Sequence, residues 1–418
     1  MDARDKRGHD GVMTDALNAR DGKDVEDAVR WALAEGKPLE LVGRGTKRAL
    51  GRPSQSDLTL DLSALTGVTL YEPEELVLSA KAGTPVAEIE ALVHDKGQQL
   101  AFEPMDYGPI LGARAEAGTL GGALATNLSG PRRIKAGAAR DHFLGVTAVS
   151  GRGETFKSGG RVVKNVTGYD LCKLLAGSFG TLAAMTEVTI KTLPRPETEA
   201  TVMVLGLDDA RAGAAMSAAM GCSCDVSGAT HLPADLVQHF EGLYVIQAAT
   251  LFRLEGFAPS VAHRKAALTA LLASFGPVEH VDNEGHSRAF WKSVRDVKPF
   301  AASGAHGDQP LWRVSTAPAR GHQLAAALPR EARRFYDWAG GLIWLAMPSS
   351  DDGGAAAIRR AVTTAGGHAT LVRAPAAVRA AVDVFERQDG VLAGVTKRVK
   401  DGFDPKGVLN PGRMWAGV

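Results

Sequence analysis

Apolar and polar positions alternate differently in the two halves of the chain. In the first half, Val25, Ala28, Val29 and Ala32 fall on one face of a predicted helix over 25–36, and Gly36 supplies its stop. The run 39–42 predicts a strand ending in Gly43-Arg44-Gly45-Thr46-Lys47. Short alternating runs at 58–62, 68–71 and 76–80 predict further strands. Pro85 predicts the first turn of a helix over 86–96. Runs at 144–149 and 154–157 flank Ser150-Gly151-Arg152-Gly153, a hairpin signal. A short helix at 170–176 and a strand at 184–193 follow, and Pro194-Arg195-Pro196 then breaks the pattern.

Beyond this break, strands are predicted at 201–205, 243–254, 311–315, 342–347 and 369–373. Helices are predicted at 208–220, 261–275, 354–365 and 376–387. The two types mix without a steady βαβ rhythm, which predicts an α+β fold with helices over an antiparallel sheet. The polar, Gly-rich stretch 282–309 predicts a long loop or lid. The expected organisation is a mobile lead-in over 1–24, a first domain over 25–196, a second over 197–402, and a turn-rich segment over 403–418 that folds back.

Composition narrows the function classes. With 418 residues and 45% hydrophobic content, the chain is long enough for two or three cored domains. A net charge of +1 gives no global field for nucleic acid or a membrane surface. No apolar run approaches the roughly 20 residues that span a bilayer. The polar first 24 residues lack a signal core, so a cytoplasmic location is expected. Three cysteines are too few for a disulfide framework or an iron–sulfur site, so inert thiols and no metal are expected.

Candidate chemistry lies in three Gly-rich clusters. Gly43–Lys47 follows a strand, and its backbone donors together with Arg44 and Lys47 suit an anion. Gly118-Thr119-Leu120-Gly121-Gly122 leads into a short helix. Gly177-Ser178-Phe179-Gly180-Thr181 forms the third. Glycine tolerates positive φ and lets a ligand approach the backbone, so the three together predict a loop-built surface for something large and phosphorylated. A Rossmann fold is disfavoured, because Arg48 stands where the last glycine of the fingerprint belongs and no helix follows. No P-loop sequence occurs.

The order of these segments carries a resemblance. G-R-G-T (43–46), A-G-T-L-G-G-A-L-A-T-N (117–127), R-D-H-F-L-G-V (140–146), G-G-R-V-V-K-N-V-T-G-Y-D-L (159–171) and G-S-F-G-T-L (177–182) resemble the FAD-binding domain of the vanillyl-alcohol oxidase / p-cresol methylhydroxylase (PCMH) superfamily. The tail F-D-P-K-G-V-L-N-P-G-R (403–413) resembles the end of FAD-linked oxidases. P-L-W-R-V-S (310–315), D-W-A-G-G-L-I-W-L (337–345) and G-H-A-T-L-V-R (367–373) resemble, more narrowly, the E subunits of bacterial glycolate oxidases.

The resemblance implies a two-subdomain PCMH-type FAD-binding domain followed by an α+β cap. FAD would have its pyrophosphate held by Gly43, Arg44, Gly45, Thr46, Lys47, Gly118, Thr119, Leu120, Gly121 and Gly122. Thr126, Asn127, Arg140, Asp141, Gly177, Ser178, Gly180, Thr181, Thr186 and Val188 would line the rest, with Asn410 approaching the flavin ring. Relatives with covalent flavin carry a His in the first loop. Thr46-Lys47 stand there in this chain, so non-covalent FAD is expected.

Oxidising a 2-hydroxy acid also needs a cation for the carboxylate and a base for the hydroxyl. Arg313 is the candidate clamp, because a guanidinium matches carboxylate geometry. His368, His306 and Tyr107 are candidate bases. Ala305-His306-Gly307-Asp308-Gln309 falls short of the His-rich motif of catalytic relatives. The resemblance thus implies a subunit working with a second flavoprotein subunit and an iron–sulfur subunit on glycolate or D-lactate. Peripheral membrane contact would come only through the complex. A self-sufficient FAD-linked 2-hydroxy acid oxidase and a scaffold with a degenerate flavin site are the alternatives.

Overall fold

The computed structural model describes residues 15–56, 58–161 and 168–418. Val162–Thr167 of the fourth motif lies outside them. Three parallel strands open the chain, in the order Asp15–Asn18, Leu58–Asp61, Leu39–Val42. The helix Gly22–Glu35 packs on them through Val25, Ala28, Val29 and Ala32, the face its spacing predicts. Asp21 caps it by accepting the Asp24 N–H at 2.9 Å, and Gly36 ends it at φ 63°. Each buried valine contributes about 1.5–3 kcal/mol. Part of the expected lead-in is therefore structure: Asp15–Asn18 pairs with Leu58–Asp61, and Asp21 starts the helix.

A five-stranded antiparallel sheet forms the second subdomain. Its order is Val68–Glu72, Val77–Lys81, Ala183–Lys191, Phe143–Ser150, Thr155–Gly159. The helices Val86–His94, Leu120–Ala125 and Leu171–Leu175 pack on it around Phe102 and Phe143. No Rossmann crossover is present in this sheet; every pairing is antiparallel.

The cap is an eight-stranded antiparallel sheet. Its order is Val278–Val281, Thr198–Leu205, Ala249–Gly256, Gly228–Leu232, Arg333–Asp337, Leu342–Ala346, Leu311–Ser315, His368–Arg373. The helices Asp209–Gly221, Ala258–Leu272 and Ala355–Ala365 cover one face. The other face carries Phe335 and Trp344 and packs on Leu50, Met105, Tyr107, Ile110 and Leu128 of the flavin domain. Two bidentate pairs cross the same seam. Arg253 donates to Glu103 at 2.8 and 3.1 Å, and Arg132 donates to Glu255 at 2.7 and 3.0 Å.

The expected loop over 282–309 is instead largely helical. Asn283 caps Glu284–Arg295 by accepting the His286 N–H, and Phe290, Trp291 and Val294 form a narrow buried stripe inside polar sequence. The expected strand 243–254 begins only at Ala249. The expected helix 376–387 ends at Ala381, because Val384 accepts the Leu371 N–H instead.

The helix Gly390–Phe403 then carries the chain back to the first subdomain. The buried Lys400 ammonium donates to Asp404 at 2.6 Å, to the Thr181 carbonyl at 2.6 Å and to the Leu409 carbonyl at 3.0 Å. Asp404 in turn accepts the N–H groups of Val408 and Leu409. Leu409 then bridges to Leu39, so the tail extends the three-stranded sheet. Among the described residues, no helix is long and apolar enough to cross a membrane. The three thiols are unpaired, and burial pushes those of Cys172 and Cys224 up to about 11.

Candidate functional site

Strand Leu39–Val42 delivers the chain into the loop 43–48. Gly45 turns it at φ 74°, a region that disfavours side chains. The loop is held from behind by charge. Glu40, nearly buried, accepts from Arg48 at 2.5 and 3.1 Å. Arg413, from the returning tail, donates to the carbonyls of Lys47 and Arg48 at 2.9 Å each. Neither arginine stands out in the sequence. Only the N-P-G-R ending hints at Arg413.

The second loop docks on the first. A Cβ on Gly43 would lie 2.8 Å from Thr119 Oγ1, and one on Gly121 would lie 2.7 Å from the Ala82 Cβ. Both glycines are therefore required by chain against chain, not by ligand approach as the sequence suggests. Gly122 is different: its missing Cβ would come 3.0 Å from Thr119 Oγ1 and 3.5 Å from Lys47 Nζ, at the cavity wall. Thr119 caps the short helix by accepting the Gly122 N–H at 3.2 Å.

The third cluster turns through Gly177, Phe179 and Gly180, all at positive φ. Asn410, itself at φ 44°, ties this turn to the first strand. Its side-chain oxygen accepts the Leu41 N–H and its amide donates to the Phe179 carbonyl, both at 2.8 Å. Asn410 is a clamp between elements as well as a wall residue.

These elements line a half-open pocket. Of the residues expected from the sequence, Gly43, Arg44, Gly45, Thr46, Lys47, Thr119, Gly121, Gly122, Thr126, Gly180 and Asn410 line it. Phe179, of the third cluster, and Met185 line it as well; Glu40, Arg48, Ala82, Gly83 and Arg413 line it too, and were not foreseen. The other expected residues stand behind or beside it. Leu120 and Val188 are core. Asn127 accepts the Arg140 N–H at 3.0 Å, and Asp141 accepts the Ala138 N–H at 2.8 Å. Thr181 and Thr186 donate to the carbonyls of Ser178 and Thr147. Gly177 donates to Leu124, and Gly118 accepts the Val86 N–H.

Lys47 is the electrostatic centre. Its ammonium has only Thr46 Oγ1, at 3.4 Å, as a hydrogen-bond partner, and no carboxylate at ion-pair distance among the described residues. Loss of solvation pulls it down to about 8, partly offset by the more distant Asp106. An enclosed cation beside exposed backbone donors costs free energy until an anion arrives. The donor set therefore fits a pyrophosphate.

A separate group of polar side chains sits where cap meets flavin domain. Arg313 pairs with Trp344 and Thr370 across its strand neighbours, and its guanidinium lies 4.9 Å from the Trp338 ring centroid. It has no acidic partner at ion-pair distance among the described residues, and burial lowers its basicity. Tyr107 stands near Arg313, with its ring edge toward Trp344 and its hydroxyl pushed up to about 12 by burial. His368 lies on the adjacent edge strand opposite Ser315. Burial and the charges of Arg313 and Arg133 hold its imidazole below the ordinary histidine value. His306 is elsewhere, against Phe300 and His239. Trp344 is core, but Trp338 is not simply packing. It and Ala339 occupy positive φ, at a cost of about 1–3 kcal/mol each.

Comparison with known proteins fits this geometry. Residues 16–159 match the family model described as FAD binding domain. The chain is 34% identical over 398 residues to glycolate oxidase subunit GlcE of Escherichia coli (strain K12), covering 93% of this chain and 96% of that protein. The chain belongs to the glycolate oxidase subunit GlcE family. Its cofactor is FAD, and it is an FAD-linked oxidoreductase. Glycolate oxidase subunit GlcD of Bacillus subtilis (strain 168) is 28% identical over 324 residues, 77% of this chain and 61% of that protein. The fold is that of p-cresol methylhydroxylase, whose substrate-bound structure superposes with a TM-score of 0.69 at 13% identity, over 95% of this chain and 88% of that one. The isoeugenol complex of 4-ethylphenol oxidase from Gulosibacter chungangensis gives the same score at 12% identity, over 98% and 91%. FAD, when bound, supplies a two-electron acceptor. The chain supplies the anion cradle, the loop clamps and the wall of the cavity.

Proposed function

We propose that this chain is the FAD-holding subunit of a glycolate oxidase-type complex that oxidises small 2-hydroxy acids at their CH–OH group, with glycolate as the first candidate and D-lactate as the second. The observation that carries the reading is similarity over 93% of the chain to a glycolate oxidase subunit, in a chain whose glycine loops line a half-open pocket around a lysine with no carboxylate at ion-pair distance among the described residues. Gly43–Lys47, Thr119, Gly122 and Thr126 hold the cofactor, with Gly180 and Asn410 closing the far wall. No histidine, cysteine or tyrosine lines the cavity among the described residues, which supports non-covalent attachment.

Electrons leave through partners in this reading. A second flavoprotein subunit and an iron–sulfur subunit complete the route, a reading supported by the chain's similarity to glycolate oxidase subunits. The complex works in the cytoplasm or at the inner face of a membrane. A self-sufficient oxidase is the second reading, and Arg313 favours it, as a half-buried cation with no acidic partner at ion-pair distance among the described residues, beside the Tyr107 hydroxyl.

The test is to purify the chain, record its flavin spectrum, and add glycolate or D-lactate without oxygen. Bound FAD that bleaches supports the self-sufficient reading. Bound FAD that bleaches only when the partner subunits are added supports the complex. A chain with no affinity for FAD would sink both.

A further inference from the structure

The seam between flavin domain and cap carries charge that the chain itself leaves unneutralised. Arg133 opens the short helix Arg133–Ala136, in the segment that follows the cavity-wall residue Thr126. Its guanidinium lies 4.4 Å from the centroid of the Trp338 ring, the ring that Arg313 approaches from the cap strand at 4.9 Å. Whatever faces they take, the two charges sit within roughly one Debye length, about 8–10 Å at moderate salt. Neither has a carboxylate at ion-pair distance among the described residues.

The surrounding groups do not fill that role. Asp337 is the nearest acid in sequence. Its carboxylate accepts the Trp338 N–H at 2.7 Å, and burial pushes it up to about 7, so it is a weak counter-ion at neutral pH. His368 contributes no negative charge, and the Tyr107 hydroxyl stays protonated as a donor. The ring that both arginines approach is fixed: Trp338 Nε1–H donates to the Gly130 carbonyl at 3.0 Å, across the domain boundary. Its strained backbone adds that the position is imposed by its surroundings.

We propose that Arg133 and Arg313, set on Trp338 with Tyr107 and His368 alongside, bind the carboxylate of a small carboxylic acid between the two domains. This rests on the 2-hydroxy acid reading and deepens it, by assigning the substrate carboxylate to this chain and not to a partner. Planar guanidinium forks suit a carboxylate, and a partly desolvated, uncrowded cation gains most from one. One cation comes from each domain, so the bound anion also ties the cap to the flavin domain. His368 is then a positioning or proton-accepting neighbour with a neutral ring at pH 7.

The experiment is isothermal titration calorimetry on the FAD-loaded chain with oxalate (redox-inert), glycolate and the uncharged glycolamide. R133M is the principal variant, since Arg133 is exposed and its side chain makes no hydrogen bond among the described residues. R313M is the second. The wild type is expected to bind oxalate and glycolate but not glycolamide. Each variant is expected to lose tenfold or more in oxalate affinity with FAD content and Tm unchanged, the loss of one charge-assisted contact. Unchanged oxalate affinity in R133M and R313M, glycolamide binding equal to glycolate, or no oxalate binding at all would overturn the site. Loss of oxalate binding in both variants, with no bleaching by glycolate in the wild type or with partners, supports the carboxylate site while refuting the oxidation reading. Equal bleaching by glycolate in wild type and both variants overturns the site and leaves the oxidation reading intact.

Discussion

Lys47 makes the flavin affinity depend on pH in a direction that can be worked out beforehand. Its ammonium is held down from 10.5 to about 8 by lost solvation, with no carboxylate at ion-pair distance among the described residues. A bound pyrophosphate stabilises the charged form, so the value in the complex is higher than in the free chain. Below pH 8 the lysine is charged in both states and adds no slope. Above pH 8 the free chain releases the proton and must regain it on binding. With a complex value above 10, Kd then rises about 15-fold between pH 8 and 9.5, approaching tenfold per unit. The free fold responds with the opposite benefit. Its lysine binds fewer protons than the unfolded chain between about 8 and 10.5, so stability against unfolding rises with pH through that window. Replacing Lys47 by Met removes a charge-assisted contact worth about 1.5–3 kcal/mol, so affinity at pH 7 falls roughly 10- to 150-fold. The same variant loses the slope above pH 8. Flavin fluorescence quenching across pH 7–9.5 on both proteins is the assay. A flat wild-type curve, or a slope that survives in Lys47→Met, refutes the argument.

Four other outcomes follow from the geometry around the loops and the returning tail. Gly121→Ala forces a Cβ to 2.7 Å from Ala82 and is expected to destabilise even the FAD-free chain, by about 1–3 kcal/mol in denaturant unfolding. Gly122→Ala, whose Cβ meets Lys47 and Thr119 at the cavity wall, should instead lower FAD affinity with little change in Tm. Lys400→Met strands the buried Asp404 carboxylate and is expected to cost about 3–5 kcal/mol in urea unfolding, well beyond a surface substitution. Asn410→Ala loses both bonds of the tail clamp, so the tail should become protease-sensitive and FAD should dissociate faster by stopped-flow measurement.

Much of this was legible in the sequence, for identifiable reasons. The first helix, the strands of the flavin domain and the cap strands at Leu311–Ser315 and Leu342–Ala346 carry strong periodicity, and they stand close to where it put them. The helix Glu284–Arg295 was not legible, because its buried stripe is three residues wide in polar sequence. The strands Gly228–Leu232 and Arg333–Asp337 were missed because the first is buried along its whole length and the second runs from exposed Arg333 to a continuous buried stretch Phe335–Asp337, so neither alternates. At the site, glycine marked the right loops for partly the wrong reason. Gly43 and Gly121 make room for Thr119 and Ala82, not for a ligand. Arg48, Arg413 and Glu40 were invisible because a lone arginine or glutamate carries no sequence signature of the carbonyls or charges it will meet.

The seam between the two domains separates structural charge from charge that waits for a ligand. Glu103 with Arg253 and Arg132 with Glu255 are bidentate, largely shielded from solvent and mutually neutral. Such pairs roughly repay their desolvation, so they orient the cap on the flavin domain while contributing little net stability. Lys47, Arg133 and Arg313 have no carboxylate at ion-pair distance among the described residues. Lys47 and Arg313 are held below their ordinary values by lost solvation, which more distant acidic groups offset only in part. A fold that builds two complete ion pairs a short distance away has the means to neutralise these cations. Leaving them open is therefore best explained by anions that come and go: a pyrophosphate at Lys47, and a carboxylate where Arg133 and Arg313 meet on Trp338.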